Sequence, residues 1–297
     1  MQALLDAIAL AEPGSQACRI FHGRGGRYPG CEHLSLDWYA PVWVLTSFAL
    51  LDESDLQAVH QALARRPEPL NWVYQCRHQG AAHTETRLMA GKVPEPHVVT
   101  EASARYRVHV LRGQNHGLFL DMACGRQWLR EQAQGLRVLN LFAYTCAFSV
   151  AALQGQAAEV VNVDMAAGAL AIGQQNHQLN GLDGARFLAH DLFKSWGKVK
   201  RMGPYDIVVA DPPSYQKGSF VAAKDYARVV RRLPELLAPG GQALLCLNAP
   251  ELPSQFLRDL VASEAPALRF VRRLHNPTVF ADVDPERALK VLVFSMA

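Results

Sequence analysis

Apolar and polar positions alternate most regularly in the second part of the chain. Short apolar runs predict strands, and longer amphipathic stretches between them predict helices. The predicted strands are residues 137–141, 159–163, 185–189, 206–210, 242–247, 268–274 and 288–294, and the predicted helices are residues 145–153, 166–180, 224–237 and 253–263. Strands that alternate with helices in this way indicate a parallel, doubly wound sheet covered on both faces. The last two strands have no helix between them and predict an antiparallel hairpin at the sheet edge.

The first part of the chain shows a different pattern. It is rich in aromatic residues, histidine and turn-forming residues, and the glycine-rich residues 23–30 form a loop. Strands are predicted at residues 33–37, 41–48, 70–76, 98–101 and 106–111. A helix is predicted at residues 52–65, with Asp52 or Ser54 able to cap it. We therefore expect a small α+β domain at residues 1–127, followed at 128–297 by a Rossmann-like α/β domain with a mostly parallel seven-stranded sheet.

Length and composition are those of a folded, globular protein. The 297 residues are 49% hydrophobic and 19% charged, and this length suggests about two domains. No apolar run reaches the roughly 18 residues of a membrane span, and the first residues lack the basic region of a secretory signal. The six cysteines are widely spaced and form no C-x-x-C pair. We expect reduced thiols, no metal site and a cytoplasmic location.

Carboxylates or small polar residues follow the predicted parallel strands, which is where ligands bind in such sheets. Asp164 follows the second strand, where a carboxylate can accept both hydroxyl protons of an adenosine ribose. The alternative is that Asp164 only caps the next helix. Asp191 follows the third strand at the same edge. Candidate ligand contacts are therefore expected at one edge of the sheet.

The loop after the first strand, residues 140–148, lacks the G-x-G-x-x-G pattern of dinucleotide enzymes. Those glycines allow close approach of a pyrophosphate to a helix N-terminus. Ala143, Thr145, Cys146 and Ala147 are small but are not glycine. The loop therefore disfavours NAD or FAD and allows a nucleoside ligand without a pyrophosphate, such as S-adenosylmethionine.

The motif after the fourth strand is the most specific in the chain: Asp211, Pro212, Pro213, Ser214 and Tyr215. Two prolines fix the backbone and remove two amide donors. The carbonyl groups and the Asp211 carboxylate are then acceptors that can hold an amino or ring nitrogen of a planar substrate. Tyr215 can stack on a base. The alternative is an ordinary strand-ending turn.

These motifs resemble those of class I S-adenosylmethionine-dependent methyltransferases. More narrowly, residues 98–297 are similar to the bacterial family that methylates large-subunit ribosomal RNA, in its 5-methylcytosine and 7-methylguanine branch. The matching segments are residues 106–110, 117–121, 138–145, 160–164, 190–193 and 211–214. The resemblance implies S-adenosylmethionine as cofactor, S-adenosylhomocysteine as product and RNA, 23S ribosomal RNA in particular, as partner. From the residues themselves we expect no metal, no membrane and no obligate protein partner.

The resemblance also implies roles for individual residues. The implied cofactor-binding residues are Phe119, Asp121, Arg126, Asn140, Phe142, Ala143, Tyr144, Thr145, Asp164, Met165, Asp191, Leu192 and Asp211. Among them, Asp164 is expected at the ribose and Asp191 at the adenine amino group. The implied catalytic residues are Asp211, Pro212, Pro213, Ser214 and Tyr215, with Asp211 and Pro212 facing the methyl group and the target base.

Two departures from the family pattern bear on the chemistry. Cys146 and Ala147 stand where the family often has two glycines, which leaves the backbone path of this loop open. Family members that make 5-methylcytosine use a cysteine after the fifth strand, because carbon 5 is not nucleophilic until a thiolate adds to the ring. Asn248 holds that position here, and Cys246 is expected in the core. A nitrogen target is therefore favoured. The resemblance to members that make 7-methylguanine, which carry asparagine at this position, implies guanine, whose nitrogen 7 has a free lone pair and needs only positioning and in-line geometry.

Basic residues near turns and on one helix face favour an RNA partner, although each could be an ordinary surface charge. The RNA-binding candidates are Arg24, Arg27, Lys217, Lys224 and Arg228. The formal charge of +3 arises entirely in residues 128–297. Family members often carry an N-terminal PUA domain, whereas residues 1–97 lack that pattern and are expected to enlarge the family's central α+β domain.

Three alternatives to guanine methylation stay open on the sequence alone. The first is methylation of cytosine carbon 5 with Cys246 as nucleophile. The second is methylation of a nitrogen in a protein or a small molecule, since Asp-Pro-Pro loops also serve those reactions. The third is an RNA-binding module that keeps the fold without catalysis, against which the carboxylates at Asp164, Asp191 and Asp211 argue.

Overall fold

The computed structural model describes residues 1–78, 85–216 and 220–297. The chain divides into two compact units. The first unit comprises Met1–Leu120 and Pro277–Pro285, and the second comprises Asp121–Asn276 and Glu286–Ala297. The division precedes helix Ala123–Gln132, so a boundary after residue 127 would lie inside a helix.

The first unit is built on a five-stranded sheet whose strands follow one another in chain order. These strands are β1 (Cys18–His22), β2 (Leu34–Tyr39), β3 (Val42–Ser47), β4 (Trp72–Cys76) and β5 (Glu85–Ala90). Only β3 and β4 pair in parallel. A separate hairpin follows, with β6 (His97–Glu101) and β7 (Ala104–Val108). The predicted α+β character of this part is confirmed.

Two helices contribute apolar side chains to the core of the first unit: α1 (Gln2–Leu10) and α2 (Glu53–Ala64). The predicted cap of α2 is confirmed, because Oδ1 of Asp52 accepts a hydrogen bond from the Asp55 amide at 2.8 Å. The sequence analysis did not predict α1 or β5.

The second unit contains a seven-stranded sheet flanked by helices. Its strands are β8 (Arg137–Leu141), β9 (Glu159–Asp164), β10 (Ala185–Ala189), β11 (Tyr205–Ala210), β14 (Leu237–Leu247), β15 (Leu268–Leu274) and β16 (Lys290–Met296), and a short hairpin adds β12 (Tyr215–Gln216) and β13 (Phe220–Val221). The sheet order is β10-β9-β8-β11-β14-β16-β15. The first five strands are parallel, and β16 pairs antiparallel with both neighbours. The predicted α/β class and the edge hairpin are confirmed.

The helices of the second unit are α3 (Ala123–Gln132), α4 (Ala147–Gln154), α5 (Ala167–Leu179), α6 (Leu192–Met202), α7 (Ala222–Val230), α8 (Leu233–Leu236) and α9 (Ser254–Glu264). Side chains of α3 and α4 pack in one apolar cluster, and those of α6 to α9 pack in another. Alternate residues of β8 and β9 belong to the two clusters, so both faces of the sheet are covered.

Two predictions for this unit were wrong in detail. The single helix predicted at residues 224–237 is two helices, because Pro234 stands in the first turn of α8 and cannot lie inside a longer helix. Helix α6 was not predicted at all. Among the described residues, no helix combines the length and apolar character needed to cross a membrane.

Candidate functional site

The carboxyl ends of β9, β8, β11 and β14 lie side by side at one edge of the sheet, because these strands are parallel neighbours. The loops that leave this edge carry most of the residues predicted to bind a ligand. The cofactor candidates from Asp121 to Asp211 all belong to the second unit, whereas Phe119 belongs to the first unit.

The loop between β8 and α4 has an unusual backbone. Phe142, Tyr144 and Cys146 all adopt positive φ angles, of 58°, 47° and 61°. Such angles are rare for residues that carry a side chain, because Cβ crowds the following carbonyl. Cys146 stands at the N-cap of α4 and is fully buried, and burial first, then Asp164, raises the pKa of its thiol. The chain thus keeps, with Cys146, a conformation that glycine adopts at lower cost.

Asp164 ends β9 and binds two backbone amides. Its Oδ2 accepts from the Tyr144 amide and its Oδ1 accepts from the Ala166 amide, both at 2.8 Å. The carboxylate therefore joins the loop after β8 to Ala166, the residue before α5. Ala166 is the N-cap of α5 and this helix has no side-chain capping bond, so Asp164 does not cap it. Each oxygen retains a further lone pair, so the group can also accept hydroxyl protons. Met165 beside it is 54% exposed and offers an apolar surface.

Asp191 occupies the N-cap of α6. Its Oδ1 accepts from the Phe193 amide at 2.9 Å, and its Oδ2 lies 3.4 Å from Nζ of Lys194. Leu192, the next residue, is buried in the core. The carboxylate is thus held by local contacts at the end of β10.

Asp211 lies directly after β11 and is partly exposed. Desolvation by the surrounding protein raises the pKa of Asp211 to about 7, the carboxylate of Asp121 adds to the rise, and Arg126 opposes it. Arg126 belongs to α3 and is 3% exposed. Two predicted cofactor residues, Asp121 and Arg126, therefore act electrostatically on the predicted catalytic carboxyl. A carboxyl that titrates near neutral pH is typical of functional sites.

Residues 211–215, the proline loop, lead directly into the short strand pair β12 and β13. Pro212 is buried and Tyr215 is 68% exposed. The carbonyl of Ser214 accepts from the Ala222 amide at 3.0 Å, and β12 pairs antiparallel with β13. Pro213, which follows Pro212 in the loop, is partly buried. The exposed ring of Tyr215 is thus available for stacking.

Aromatic rings connect the loop after β8 to β13 and α6. The ring centroid of Phe220 lies 5.3 Å from that of Phe142 and 6.3 Å from that of Phe193. The guanidinium of Arg228 stands over Phe193 at 3.6 Å and also donates to Asp225 at 2.9 Å. Arg228, a predicted RNA-binding residue, is therefore held at the surface by these contacts.

A chain of buried polar side chains lies beneath the loop after β8, and the sequence analysis missed most of it. Asn140 donates to Asn162 at 2.9 Å, Asn162 donates to Oγ of Ser149 at 3.0 Å, and Ser149 contacts Nε2 of His177 at 2.8 Å. Asn140, a predicted cofactor residue, is 1% exposed, and its side-chain amide is bonded within this buried chain. An asparagine inside each of two apolar strands is the signal that such a chain exists.

Cys246 and Tyr226 lie in the core behind the proline loop. Burial, followed by the charges of Asp211 and Asp121, raises the pKa of the Cys246 thiol. The hydroxyl of Tyr226 lies 2.8 Å from the Cys246 carbonyl and 3.3 Å from the Ala210 carbonyl, so it joins the ends of β14 and β11. Cys246 therefore packs in the core, and Asn248 is exposed at the edge.

The remaining RNA-binding candidates lie in three places. In the first unit, Arg24 and Arg27 are exposed, and the guanidinium of Arg24 stands 4.0 Å from the ring centroid of Phe48. In the second unit, Lys224 is exposed on α7. Lys217 lies outside the described residues.

The donor set at the edge fits a nucleoside with an amino-acid tail. Within the described parts of the chain, no group of three His, Cys, Asp or Glu side chains is placed to hold a metal ion. Asp164 retains lone pairs for ribose hydroxyls, the small buried residues Ala143 and Thr145 lie on the adjoining loop, and Asp121 and Asp211 offer acceptors for a cationic tail. These residues fit S-adenosylmethionine.

Known proteins resemble the chain over most of its length. Ribosomal RNA large subunit methyltransferase I of Aeromonas salmonicida is 32% identical over 80% of this chain, which spans 62% of that relative. The protein of the same name from Erwinia tasmaniensis is 30% identical, with coverage of 93% and 72%. The chain thus spans about three fifths of the length of the first of these curated relatives.

Solved structures show the same fold. A structure from Streptococcus mutans, named as an S-adenosylmethionine-dependent methyltransferase, has a TM-score of 0.87 at 24% identity. The match covers 99% of this chain and 81% of the Streptococcus mutans chain. The tRNA m1G37 methyltransferase of M. jannaschii has a TM-score of 0.65 at 13% identity, with coverage of 90% and 77%. The family model for S-adenosylmethionine-dependent methyltransferases matches residues 18–295. The chain therefore belongs to the S-adenosylmethionine-dependent methyltransferase family.

Proposed function

We propose that this protein methylates RNA, at a guanine nitrogen of large-subunit ribosomal RNA. The choice of a nitrogen as target rests on Cys246 and Asn248. The Cys246 thiol is buried and its pKa is raised, whereas the Asn248 side-chain amide is exposed at the end of β14. A buried neutral thiol cannot add to a pyrimidine ring. The names of the curated relatives support RNA as the substrate class.

Different side chains at the sheet edge bind different parts of S-adenosylmethionine. S-adenosylmethionine, when bound, supplies an electrophilic methyl group on a sulfonium. Asp164 binds the ribose hydroxyls, Asp191 accepts from the adenine amino group, and Asp121 and Arg126 contact the amino-acid tail from α3 and the residues before it. The loop from Phe142 to Thr145 borders the cofactor with the half-buried side chains of Phe142 and Tyr144, while the Tyr144 amide is bonded to Asp164.

The proline loop presents the target base. With no amide donors at Pro212 and Pro213, the loop offers carbonyl oxygens and the Asp211 carboxylate to base N–H groups. Tyr215, which is exposed, stacks on the base. A guanine nitrogen that already carries a lone pair needs no general base, so the rate enhancement comes from alignment of the two reactants.

We further propose that the first unit binds RNA. Arg24 and Arg27 are exposed in the glycine-rich loop, and Arg24 stands over Phe48, an arrangement that leaves a cationic and aromatic surface for a strand. Lys224 and Arg228 on α7 provide a second basic surface in the second unit. Arg24→Gln and Arg27→Gln should weaken RNA binding and reduce its salt dependence, with cofactor binding unchanged.

Transfer of a labelled methyl group to RNA tests the proposal. RNA from a strain that lacks this protein is incubated with the protein and labelled S-adenosylmethionine, and digested nucleosides are identified by mass spectrometry. A methylated guanosine is expected, and Asp211→Ala should reduce it at least tenfold. Absence of label in RNA would exclude an RNA target and favour a protein or small-molecule acceptor. Label in 5-methylcytidine, lost in Cys246→Ala, would establish the cytosine mechanism instead.

A further inference from the structure

Lys290, the first residue of β16, is a fully buried lysine. Burial of an ammonium group costs several kcal/mol unless its N–H groups find acceptors. Nζ of Lys290 donates to the carbonyl of Ala249 at 2.8 Å and to the carbonyl of Glu286 at 2.7 Å. A methionine of similar volume would fill the space without that cost, so the specific contribution of the ammonium is these hydrogen bonds.

The Ala249 carbonyl belongs to the connection between β14 and α9. It also accepts from the Leu252 amide at 3.1 Å, so a tight turn and the ammonium share one acceptor. The far end of the connection is held as well, because Oε2 of Glu286 accepts from the Ser254 amide at 2.5 Å. Oε1 of Glu286 pairs with Arg273 at 2.6 Å. The start of β16 and the residues before it therefore fix this connection at both ends.

This connection lies beside the proline loop. Strands β11 and β14 are parallel, with Ala210 opposite Leu245, so the residues after Ala210 and those after Leu247 leave the same edge of the sheet. Ala249 is buried, while Asn248 and Pro250 on either side of it are exposed. A fixed Ala249 carbonyl therefore determines how Asn248 is presented at that edge.

We propose that Lys290 is a positioning residue that fixes the turn after β14 so that Asn248 contacts the edge of the target base. The inference rests on the proposed function. A carboxamide both donates and accepts, which matches the O6 acceptor and the N1 and N2 donors of guanine. Lys290 bonds to the carbonyl of Ala249, the residue next to Asn248, so its effect on the reaction passes through the position of Asn248.

A double-mutant cycle tests the coupling. Lys290→Met and Asn248→Ala should each lower kcat for RNA methylation about tenfold or more, with the Kd of S-adenosylhomocysteine changed less than twofold. The double variant should be no slower than the slower single variant, because both changes remove the same contact. Losses that multiply would show that Lys290 does not act through Asn248. A Lys290→Met variant with the kcat of the wild type would also overturn the proposal.

Further variants separate positioning from folding. Lys290→Gln keeps one donor in the same space and should lose less activity than Lys290→Met, so the same cycle can be run on it if the methionine variant does not fold. Glu264→Ala, which removes an ion pair on the exposed side of α9, is the matched control for a change near this helix and should leave kcat unchanged. An equal loss in Glu264→Ala would show that the readout reports α9 stability and would overturn the proposal.

Hydrogen exchange makes the inference independent of the substrate. The Leu252 amide, which bonds to the Ala249 carbonyl, should exchange at least tenfold faster in the Lys290 variants, while the Leu245 amide within β14 should be unaffected. Wild-type protein that transfers no methyl group to RNA would contradict the proposed function but leave this measurement intact. Unchanged exchange at Leu252 would contradict the positioning role even in an active enzyme.

Discussion

The thiol of Cys146 fills the space that a side chain on Gly173 would need. A Cβ placed on Gly173 would lie 2.5 Å from Sγ and 3.0 Å from Cβ of Cys146, and both residues are buried. Cys146, at the start of α4, is thus accommodated by a glycine inside α5. The backbone path that the sequence left open here is given by the positive φ angles of Phe142, Tyr144 and Cys146.

Gly173→Ala should destabilise the protein by about 1 to 3 kcal/mol, because the added methyl group overlaps a buried sulfur atom. Cys146→Gly should remove both the overlap and the cost of the positive φ, so Gly173→Ala should be tolerated in that background. Unfolding by denaturant measures each free energy. Gly168→Ala in the same helix has open space around its Cβ and should stabilise by up to about 1 kcal/mol. Equal losses for Gly173→Ala in both backgrounds would contradict the pairing.

Much of the second unit was predictable because most residues of its strands are apolar and its helices end at recognisable residues. The strands Arg137–Leu141, Ala185–Ala189 and Leu268–Leu274 were predicted with the bounds that the structure shows. Helix α6 was missed because it is rich in lysine and carries Gly197 in its interior, where glycine lowers helix propensity. In the first unit, β5 is an exposed strand with little apolar alternation, so its pairing with β4 was not evident.

The candidate site was predictable in its position and less so in its contacts. The sequence placed the carboxylates at the ends of neighbouring strands, since the order of elements determines which edge they share. The bonds of Asp164 to two backbone amides depend on how the loop after β8 folds, and no pattern in the sequence shows that. The buried ammonium of Lys290 appeared in the sequence only as a charged residue in an apolar strand.

The titration of Asp211 should be visible in the pH dependence of methyl transfer. Its pKa is raised to about 7, so the carboxylate that accepts from the base forms as the pH rises through neutrality, and kcat should increase over that range. Asp121→Asn removes a charge that raises this pKa, so the midpoint should move to lower pH. A profile measured from about pH 5.5 to about pH 8.5 compares the two proteins. Asp183→Asn, at an exposed turn, is the control, and identical midpoints for wild type and Asp121→Asn would contradict the coupling.

The same carboxyl should affect stability with the opposite sign. Because its pKa is higher in the folded state than the usual value near 4, the folded protein retains a proton that the unfolded chain releases. Wild type should therefore lose stability relative to Asp211→Asn as the pH rises from about 4 to about 7, and no further above that. Denaturation at a series of pH values gives the difference, and a difference independent of pH would contradict the raised pKa.

Cys246→Ala should retain methyl transfer. The side chain packs between sheet and helices, burial raises the pKa of its thiol, and the proposed mechanism gives that thiol no role as a nucleophile. The cost should be limited to a small cavity, about 1 to 2 kcal/mol of unfolding free energy. The bond from Tyr226 to the Cys246 carbonyl is to the backbone and should survive. A folded, cofactor-binding Cys246→Ala variant without transfer would contradict this role.

The buried chain of polar groups should make the second unit sensitive to acid. Nδ1 of His177 lies 2.7 Å from the Gly173 carbonyl and therefore carries the proton, which leaves Nε2 to accept from Ser149. Burial lowers the pKa of His177 in the folded state, so the unfolded chain binds its proton first and stability falls as the pH drops below about 6.5. His177→Asn should reduce the slope of stability against pH between about 7.5 and about 5. His275→Asn, at an exposed residue, is the control and should leave the slope unchanged.

Removal of the hydroxyl at the centre of the same chain should be costly at every pH. Ser149→Ala deprives Asn162 and His177 of a buried partner, and an unsatisfied buried group costs about 1 to 3 kcal/mol. Ser263→Ala, whose hydroxyl bonds to the Leu260 carbonyl on the exposed side of α9, should change stability by less than about 0.5 kcal/mol. Because Asn140 and Asn162 hold the ends of β8 and β9 together, Ser149→Ala should also weaken the binding of S-adenosylhomocysteine, measured by calorimetry. Equal stability losses in the two serine variants would show that the buried chain is not under the constraint that its bonds indicate.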